Sequence, residues 1–457
     1  MPGFFALVAI LVYSSLSLPC SAQTAPTKPL TEKLSPSQRL SPQAFHGEAL
    51  SLSMCYELAL LRMETLGLSE QDVRIAQARY REAIGAVLPS VKVIGEQYIF
   101  KDRGNDFGSP VSGGGFGSEN LQPRQARVNL KVPLFSGLRD IEIARAARAE
   151  IDGNRLTAAR LRQNLYLNVA ESYYQTLNYE ADLRLLASIE KTLLERNDVL
   201  EKRVKLGKSR DSEQLQARTT LAQARVSVEK TKGLLAATRE MLAFLIGVPA
   251  TQWNLQPDLT ATPSGLELGS YLSLTANRPD VLAAVQSQRS ARAQLSAAKG
   301  EHFPKVSFEG NYTFYDSDSQ RDGDWSGFLT LEIPLFDGGS IEARVDQNKA
   351  LFTKKKLDLS QLEREAERDV RTTFNQFNAS LAELASLREA VKTAELNFQA
   401  QQSDYDLRVV NNLDVLDALQ TLHDLRRNES AARTDVRLNL IKLYIAAGAT
   451  GTQLTKK

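Results

Sequence analysis

Few residues in this sequence have types and spacing that could do chemistry, and none assembles into a reaction centre. Gly207-Lys208-Ser209 copies the end of a phosphate-binding loop, in which backbone amides and a lysine cradle phosphate oxygens. Such a loop needs a glycine five residues before Gly207, where Lys202 stands, so a turn between helices is the better reading. Gly113-Gly114-Gly115-Phe116-Gly117-Ser118 lacks both the GxGxxG spacing and a strand-to-helix setting, and reads as a flexible surface loop. His46, His302 and His423 lie far apart, and none has a second His or Cys at ligand spacing, so no metal site is indicated. Cys55 reads as core filler, and neither GxSxG nor CxxC occurs. An enzyme built on the loops at Arg103 to Gln122 or Asp316 to Asp324 would have no catalytic constellation behind it, and no cofactor is implied.

The elements that must position whatever function remains are set partly by compartment. Phe4 to Val12 open an apolar run that continues through Leu18 into Pro19, and Cys20-Ser21-Ala22 resembles the small-residue cleavage site of a secretory signal. Cleavage is expected after Ala22. Cys20 leaves a lipid anchor as the rival reading, although Ser17-Leu18-Pro19 fits a lipobox poorly and the segment before Phe4 lacks the usual Lys or Arg. Cleavage would leave Cys55 as the only thiol, so no intramolecular disulfide can form. The 56 Lys and Arg nearly balance 54 Asp and Glu, which argues against a nucleic-acid partner. Beyond the leader no stretch offers the ~20 consecutive apolar residues of a membrane-spanning helix. Any span must therefore be built from strands.

The chain is internally duplicated. A constant offset relates Pro133 to Pro334, Leu134 to Leu335, Phe135 to Phe336, Val169 to Val370, Leu215 to Leu416 and Gly247 to Gly448. An offset held over so long a block implies uninterrupted helices, because insertions between copies accumulate in loops. Val370, Phe374, Phe377, Leu381, Leu384, Leu387 and Val391 recur at steps of three and four, the apolar stripe of a helix. The first copy repeats the pattern at Leu165, Val169, Tyr173 and Leu177, then at Leu183, Leu186, Ile189 and Leu193. An unbroken helix from Arg139 to Gly207 would be roughly 100 Å long. A returning helix is expected over Ser212 to Leu245, with the second copy following from Ile341 to Arg408 and Asp414 to Ala447.

Four short alternating segments complete the pattern. Val128, Leu130 and Val132 face one side and Arg127, Asn129 and Lys131 the other, while Val306, Phe308, Tyr312 and Phe314 fall together, as do Leu329, Leu331 and Ile333. Such strands cross a bilayer only when a closed barrel satisfies their backbone groups, and four strands cannot close one. Either they form a small soluble sheet on a core, or several protomers pool their strands; the secretory signal and the ~100 Å helices favour pooling.

Leu88-Pro89-Ser90 and Phe303-Pro304-Lys305 before the first strand of each copy are similar to motifs of the TolC-like outer membrane factor family. So are Val132-Pro133-Leu134-Phe135-Ser136-Gly137 and Ile333-Pro334-Leu335-Phe336-Asp337-Gly338-Gly339 after the second, and Asn277-Arg278-Pro279-Asp280-Val281. The resemblance spans roughly Leu50 to Gly448. It implies a mixed, mainly α fold: a homotrimer with a 12-stranded antiparallel β-barrel, four strands per protomer, in outer membrane lipid, and a long α-helical periplasmic barrel. It further implies a passive export duct for a tripartite efflux or type I secretion system, with a periplasmic adaptor (membrane fusion protein) and an RND or ABC inner-membrane pump as partners.

The same resemblance assigns residues. Asp414 and Asp417, within Asp414-Val415-Leu416-Asp417-Ala418, match aspartates that ring the lumen at the periplasmic entrance. Tyr405 and Glu213, with Ser212 beside them, match gate contacts between the helix turns, but the partner arginine of the family falls on Val410. The turn tips for adaptor docking are Gly207 and Arg408, the latter standing where a glycine is usual. The expected layout is a signal at 1–22, a lead at 23–46, a first repeat at 47–265 with strands about 91–100 and 127–134, a second repeat at 266–448 with strands about 305–315 and 327–333, and a tail at 449–457. A periplasmic coiled-coil scaffold or adaptor is the alternative from another class.

Overall fold

The computed structural model describes residues 49–97, 124–251, 253–257, 266–316, 323–407 and 409–449; the signal, the lead, the Gly113 to Ser118 loop, His46 and Arg408 lie outside these. In chain order the elements are β1 (Ala49–Leu50), α1 (Leu52–Arg62), α2 (Glu64–Gly85), β2 (Ser90–Gln97), β3 (Arg124–Ser136), α3 (Arg139–Lys205), α4 (Asp211–Ile246), β4 (Asn254–Leu255), α5 (Leu268–Leu272), α6 (Pro279–Gly300), β5 (Lys305–Asp316), β6 (Asp324–Glu332), α7 (Ser340–Asp406) and α8 (Asn412–Ala446).

Helices α3 and α7 each run for 67 residues, about 100 Å at 1.5 Å per residue. Neither contains proline, and each starts after a left-handed pair, Gly137-Leu138 and Gly338-Gly339. Asp140 and Glu142 in the first turn of α3, and Lys202, Arg203 and Lys205 in its last, oppose the helix dipole at both ends. The apolar stripes meet in two seams. Leu186, Ile189, Leu193 and Leu200 of α3 pack on Ala217, Leu221, Ala224 and Val228 of α4 and on Leu416 and Leu419 of α8. Val370, Phe377 and Leu384 of α7 pack on Ala432, Val436 and Leu443 of α8, with Phe374, Leu381 and Leu387 partly buried beside them. Each fully buried side chain of this size contributes roughly 1.5–3 kcal/mol.

The long strands form one antiparallel sheet in the order β2-β3-β5-β6, so the two copies meet at β3–β5 and leave β2 and β6 as edges. The register lines up whole rows by chemistry. Val93, Val128, Tyr312 and Trp325 are successive cross-strand partners, and Val132, Phe308 and Leu329 form a second apolar row on the same face. On the other face Lys92, Asn129, Asn311 and Ser326 pair across all four strands, with Asn129 donating to Asn311 at 2.9 Å. Lys131 reaches Glu309 at 2.7 Å and Arg127 reaches Glu96 at 3.0 Å on this polar side. The apolar side is bare: Val91, Val93, Trp325, Leu329 and Leu331 are all more than half exposed.

Sheet meets helices at a close backbone approach. A Cβ on Gly137 would lie 2.2 Å from the Gly300 carbonyl oxygen, so only glycine fits where β3 turns into α3 against the end of α6. The next residue, Leu138, holds φ +63°, a conformation that costs a non-glycine residue roughly 1 kcal/mol or more, and glycine stands at the equivalent Gly339. Leu138→Gly is expected to raise the melting temperature by a few degrees, since the exposed Leu138 side chain contributes little packing; a lower melting temperature would show that its packing outweighs the strain.

Candidate functional site

Both long hairpins turn back at the same end. The first turn is closed by glycine chemistry: Gly207 takes φ +69°, its N–H donates to Val204 O at 2.8 Å, and Lys208 N–H donates to Arg203 O at 2.8 Å. In the second turn Val409 N–H makes the equivalent bond to Asp404 O at 2.9 Å. Arg408, the other tip residue expected from sequence, lies outside the described residues. The apolar side chains nearest the tips, Leu206, Leu407 and Val409, are each about 70% exposed (68%, 74% and 72%).

Helix α8 opens with a reciprocal cap. Asn411 Oδ1 accepts from Leu413 N and Asp414 N, while Asp414 Oδ2 accepts from Asn411 N–H at 3.0 Å. Asp414 is therefore both a partly exposed carboxylate and a capping residue. Asp417 is exposed one turn later, on the side of α8 away from the buried Val415, Leu416 and Leu419. Ser212 and Glu213 lie in the first turn of α4, where Ser212 is exposed and Glu213 half-buried.

The structure does not join Tyr405 to Glu213. The Tyr405 hydroxyl is shielded from solvent without a hydrogen-bond partner among the described residues, and its ring lies between two guanidiniums, Arg196 and Arg203, each 4.9 Å from its centroid. Arg196 is the residue that sequence reading passed over. It donates from Nε to Asn412 Oδ1 at 2.7 Å and from Nη1 to Gln402 Oε1 at 2.9 Å, joining α3 to both α7 and α8. A signal was present, because Arg196 stands in the stripe Leu186, Ile189, Leu193, Leu200, at a step where an apolar residue is the rule.

His423 occupies a similar stripe position on α8, beside a cavity of about 90 Å³ lined by Leu193, Ser227 and Leu419 among others. Both ring nitrogens are shielded and unpartnered among the described residues. Burial, aided by the Arg426 charge, pushes its pKa from 6.5 down to about 4. The unfolded chain then binds a proton at higher pH than the folded one, so stability is complete above about 6.5 and falls as the pH drops from there towards 4. His423→Leu is expected to melt higher than wild type, with a gap that widens over that pH range; a constant gap would show that His423 does not carry the acid sensitivity.

Among the described residues no helix is long and apolar enough to cross a membrane, whereas the four-stranded sheet exposes an apolar face opposite a polar one. Comparison with known proteins agrees with that division. The family described as Outer membrane efflux protein matches residues 55–248 and 271–449. The chain belongs to this family. It is 25% identical over 306 residues to outer membrane protein TolC of Vibrio cholerae, covering 65% of this chain and 70% of the relative. To TolC of Escherichia coli K12 it is 24% identical over 429 residues, covering 89% and 84%. A solved structure of CusC superposes with a TM-score of 0.79 at 20% identity, covering 90% of this chain and 95% of that one. This family member is thus an outer-membrane channel subunit of an efflux system, located in the outer membrane with its helical hairpins in the periplasm. Its relatives are channel proteins rather than enzymes, and channels of the family work as trimers with periplasmic adaptors and inner-membrane pumps. A coiled-coil scaffold would leave the apolar sheet face without a purpose.

Proposed function

We propose that three copies of this chain pool their sheets into a twelve-stranded barrel in the outer membrane and their hairpins into a periplasmic tunnel, forming a passive duct. The observation that carries this reading is the four-stranded sheet with one bare apolar face and two open edges. Unpaired edge N–H and C=O groups are not tolerated in lipid, and the apolar rows need a hydrocarbon neighbour. Pairing β6 of one copy with β2 of the next supplies both at once. Val93, Tyr312, Trp325, Phe308 and Leu329 then face lipid, while Lys92, Asn129, Asn311 and Ser326 line a wet lumen.

At the periplasmic end, Asp414 and Asp417 of three copies would ring the entrance and favour cations, since carboxylates around a narrow axis sum their fields. The turn tips, Gly207 and the Arg408 position, are the surfaces for a periplasmic adaptor, with an RND or ABC pump behind it, and Tyr405, Ser212 and Glu213 lie where contacts between the turns govern opening. In chain terms the duct is two structural repeats, 47–265 and 266–448, each supplying one hairpin of strands and one of helices. The test is planar-bilayer conductance of protein extracted from outer membranes, with the detergent-corrected mass taken on the same sample. A trimer giving discrete, cation-selective steps supports the reading; a non-conducting monomer overturns it.

A further inference from the structure

Sheet and helices meet at one level of the protomer. β2 and β5 start there and β3 and β6 end there. The connections to the helices leave Leu88, Phe303, Leu335 and Phe336 more than half exposed, the last two at 92% and 91%. With the strands in hydrocarbon and the helices in water, this level is the membrane–water boundary, where apolar and aromatic side chains anchor a protein.

Just beyond it, on the helix side, stand four cations. At 1.5 Å per residue Arg81 and Arg79 lie about 6 and 9 Å from the end of α2, and Lys299 and Arg292 about 2 and 12 Å from the end of α6. All four are exposed, and none has an ion-pair partner among the described residues. Glu82 is the only carboxylate in the last three turns of either helix. The pattern is selective, because Arg139, Arg145 and Arg344, at the same level on α3 and α7, are paired with Asp140, Glu142 and Glu301. Cations at the C-terminal end of a helix also complement its dipole, but that effect fades within the last turn, and of the four only Lys299 lies in it. The headgroup layer of one leaflet is roughly 5–8 Å deep, and long basic side chains snorkel towards it, which brings all four charges to the level of the lipid phosphates.

We propose that the barrel-facing ends of α2 and α6 form a binding site for anionic phospholipid headgroups of the periplasm-facing leaflet, with Arg79, Arg81, Arg292 and Lys299 contacting the phosphate. The site rests on the duct reading, because it needs the strands in the bilayer. The test titrates the detergent-solubilised full-length trimer with dioleoyl phosphatidylglycerol or dioleoyl phosphatidylcholine at low salt and counts bound lipid by native mass spectrometry. Each cation near an anionic surface is worth a factor of about five. Phosphatidylglycerol is therefore expected to bind wild type at least about tenfold more tightly, and the quadruple change Arg79→Gln, Arg81→Gln, Arg292→Gln, Lys299→Gln to abolish that preference. Equal affinity of wild type for the two lipids overturns the site. So does a quadruple variant that melts lower but keeps the preference, which assigns the cations to the helix dipole alone. Should the quadruple variant fail to assemble by mass, Arg79→Gln with Arg292→Gln, both beyond the last turn, is expected to weaken the preference about fivefold or more; an unchanged preference there overturns the site equally.

Tryptophan fluorescence separates this proposal from the reading beneath it. Trp325 is 77% exposed on the apolar sheet face, whereas Trp253, the other tryptophan, is 2% exposed. Quenching by brominated phosphatidylcholine in reconstituted vesicles therefore reports strands in lipid. Absence of quenching overturns the duct reading, and quenching without a preference for phosphatidylglycerol overturns the headgroup site alone.

Discussion

Arg278→Ala is expected to destabilise the protein by about 3–5 kcal/mol, the usual cost of removing one partner from a buried charge network. Arg278 is 2% exposed and ties together three elements that are far apart in sequence. Its guanidinium grips Asp280 at 3.1 and 2.7 Å, reaches Asp369 of α7 at 3.5 Å, and donates to the Ala446 carbonyl at the end of α8 at 3.2 Å. Arg160 of α3 donates to the neighbouring Ile445 carbonyl at 3.1 Å and faces Asp280 at 3.5 Å. Arginines from two other segments thus supplement the C-terminal turn of α8, Arg278 at the Ala446 carbonyl and Arg160 at the Ile445 carbonyl, which also accepts from Gly448 N–H at 3.1 Å. Arg278→Lys should recover only part of the loss, because an ammonium cannot make the fork to Asp280 and reach Ala446 as well. Arg433→Ala, which removes an exposed guanidinium from Glu429 while Arg388 stays 3.8 Å from that carboxylate, should change stability little. Thermal unfolding of the three variants in one detergent decides the matter, and an Arg278→Ala melting curve that overlays Arg433→Ala would refute the assignment.

The network also fixes the sign of an acid effect. Burial alone would raise the Asp280 pKa, but the hydrogen bond from Arg278 and the charges of Arg160 and Arg278 prevail and hold it below the ordinary carboxylate range. Its contribution is therefore complete above that ordinary range and is lost as pH falls through the lower native value.

The second large effect expected is on selectivity. Asp414→Asn combined with Asp417→Asn should bring the cation-to-anion permeability ratio of the reconstituted channel close to one. Asparagine is preferable to alanine at position 414, because Asp414 accepts the Asn411 N–H, and losing that cap costs about 1 kcal/mol for reasons unrelated to permeation. The measurement belongs at low salt, since at 0.1 M ionic strength exposed charges are screened beyond about 10 Å. Asp417→Asn alone should give an intermediate ratio, because Asp417 is exposed and carries no capping role. A double variant that still prefers cations as strongly as wild type would remove these two residues from the entrance.

How much of this was legible in the chain differs by element. The stripe from Val370 to Val391 foretold α7, and the observed α3 ends at Lys205, within two residues of the expected turn glycine. Periodicity of this kind survives in a sequence because burial of one helix face is a local, repeated requirement. Alternation at Val128, Leu130 and Val132 likewise marked a strand and its two faces. It could not say that β3 would pair with β5, nor that Val93, Val128, Tyr312 and Trp325 would form one row, because register between strands so distant in sequence is settled by the pairing itself.

At the turns the division is sharper. Asp414 and Asp417 were assigned to the entrance through a motif and Tyr405 was matched to Glu213 by position, whereas the structure sets the guanidiniums of Arg196 and Arg203 each 4.9 Å from the Tyr405 ring centroid. What the sequence by itself determined is the set of described elements: duplicated long helices and amphipathic strands. Only the tertiary structure decided which polar groups meet inside the seams, Arg196 with Asn412 and Arg278 with Asp280, Asp369 and Ala446. Apolar burial is averaged over many residues and leaves a pattern, whereas a buried hydrogen bond depends on two particular atoms that can be hundreds of residues apart.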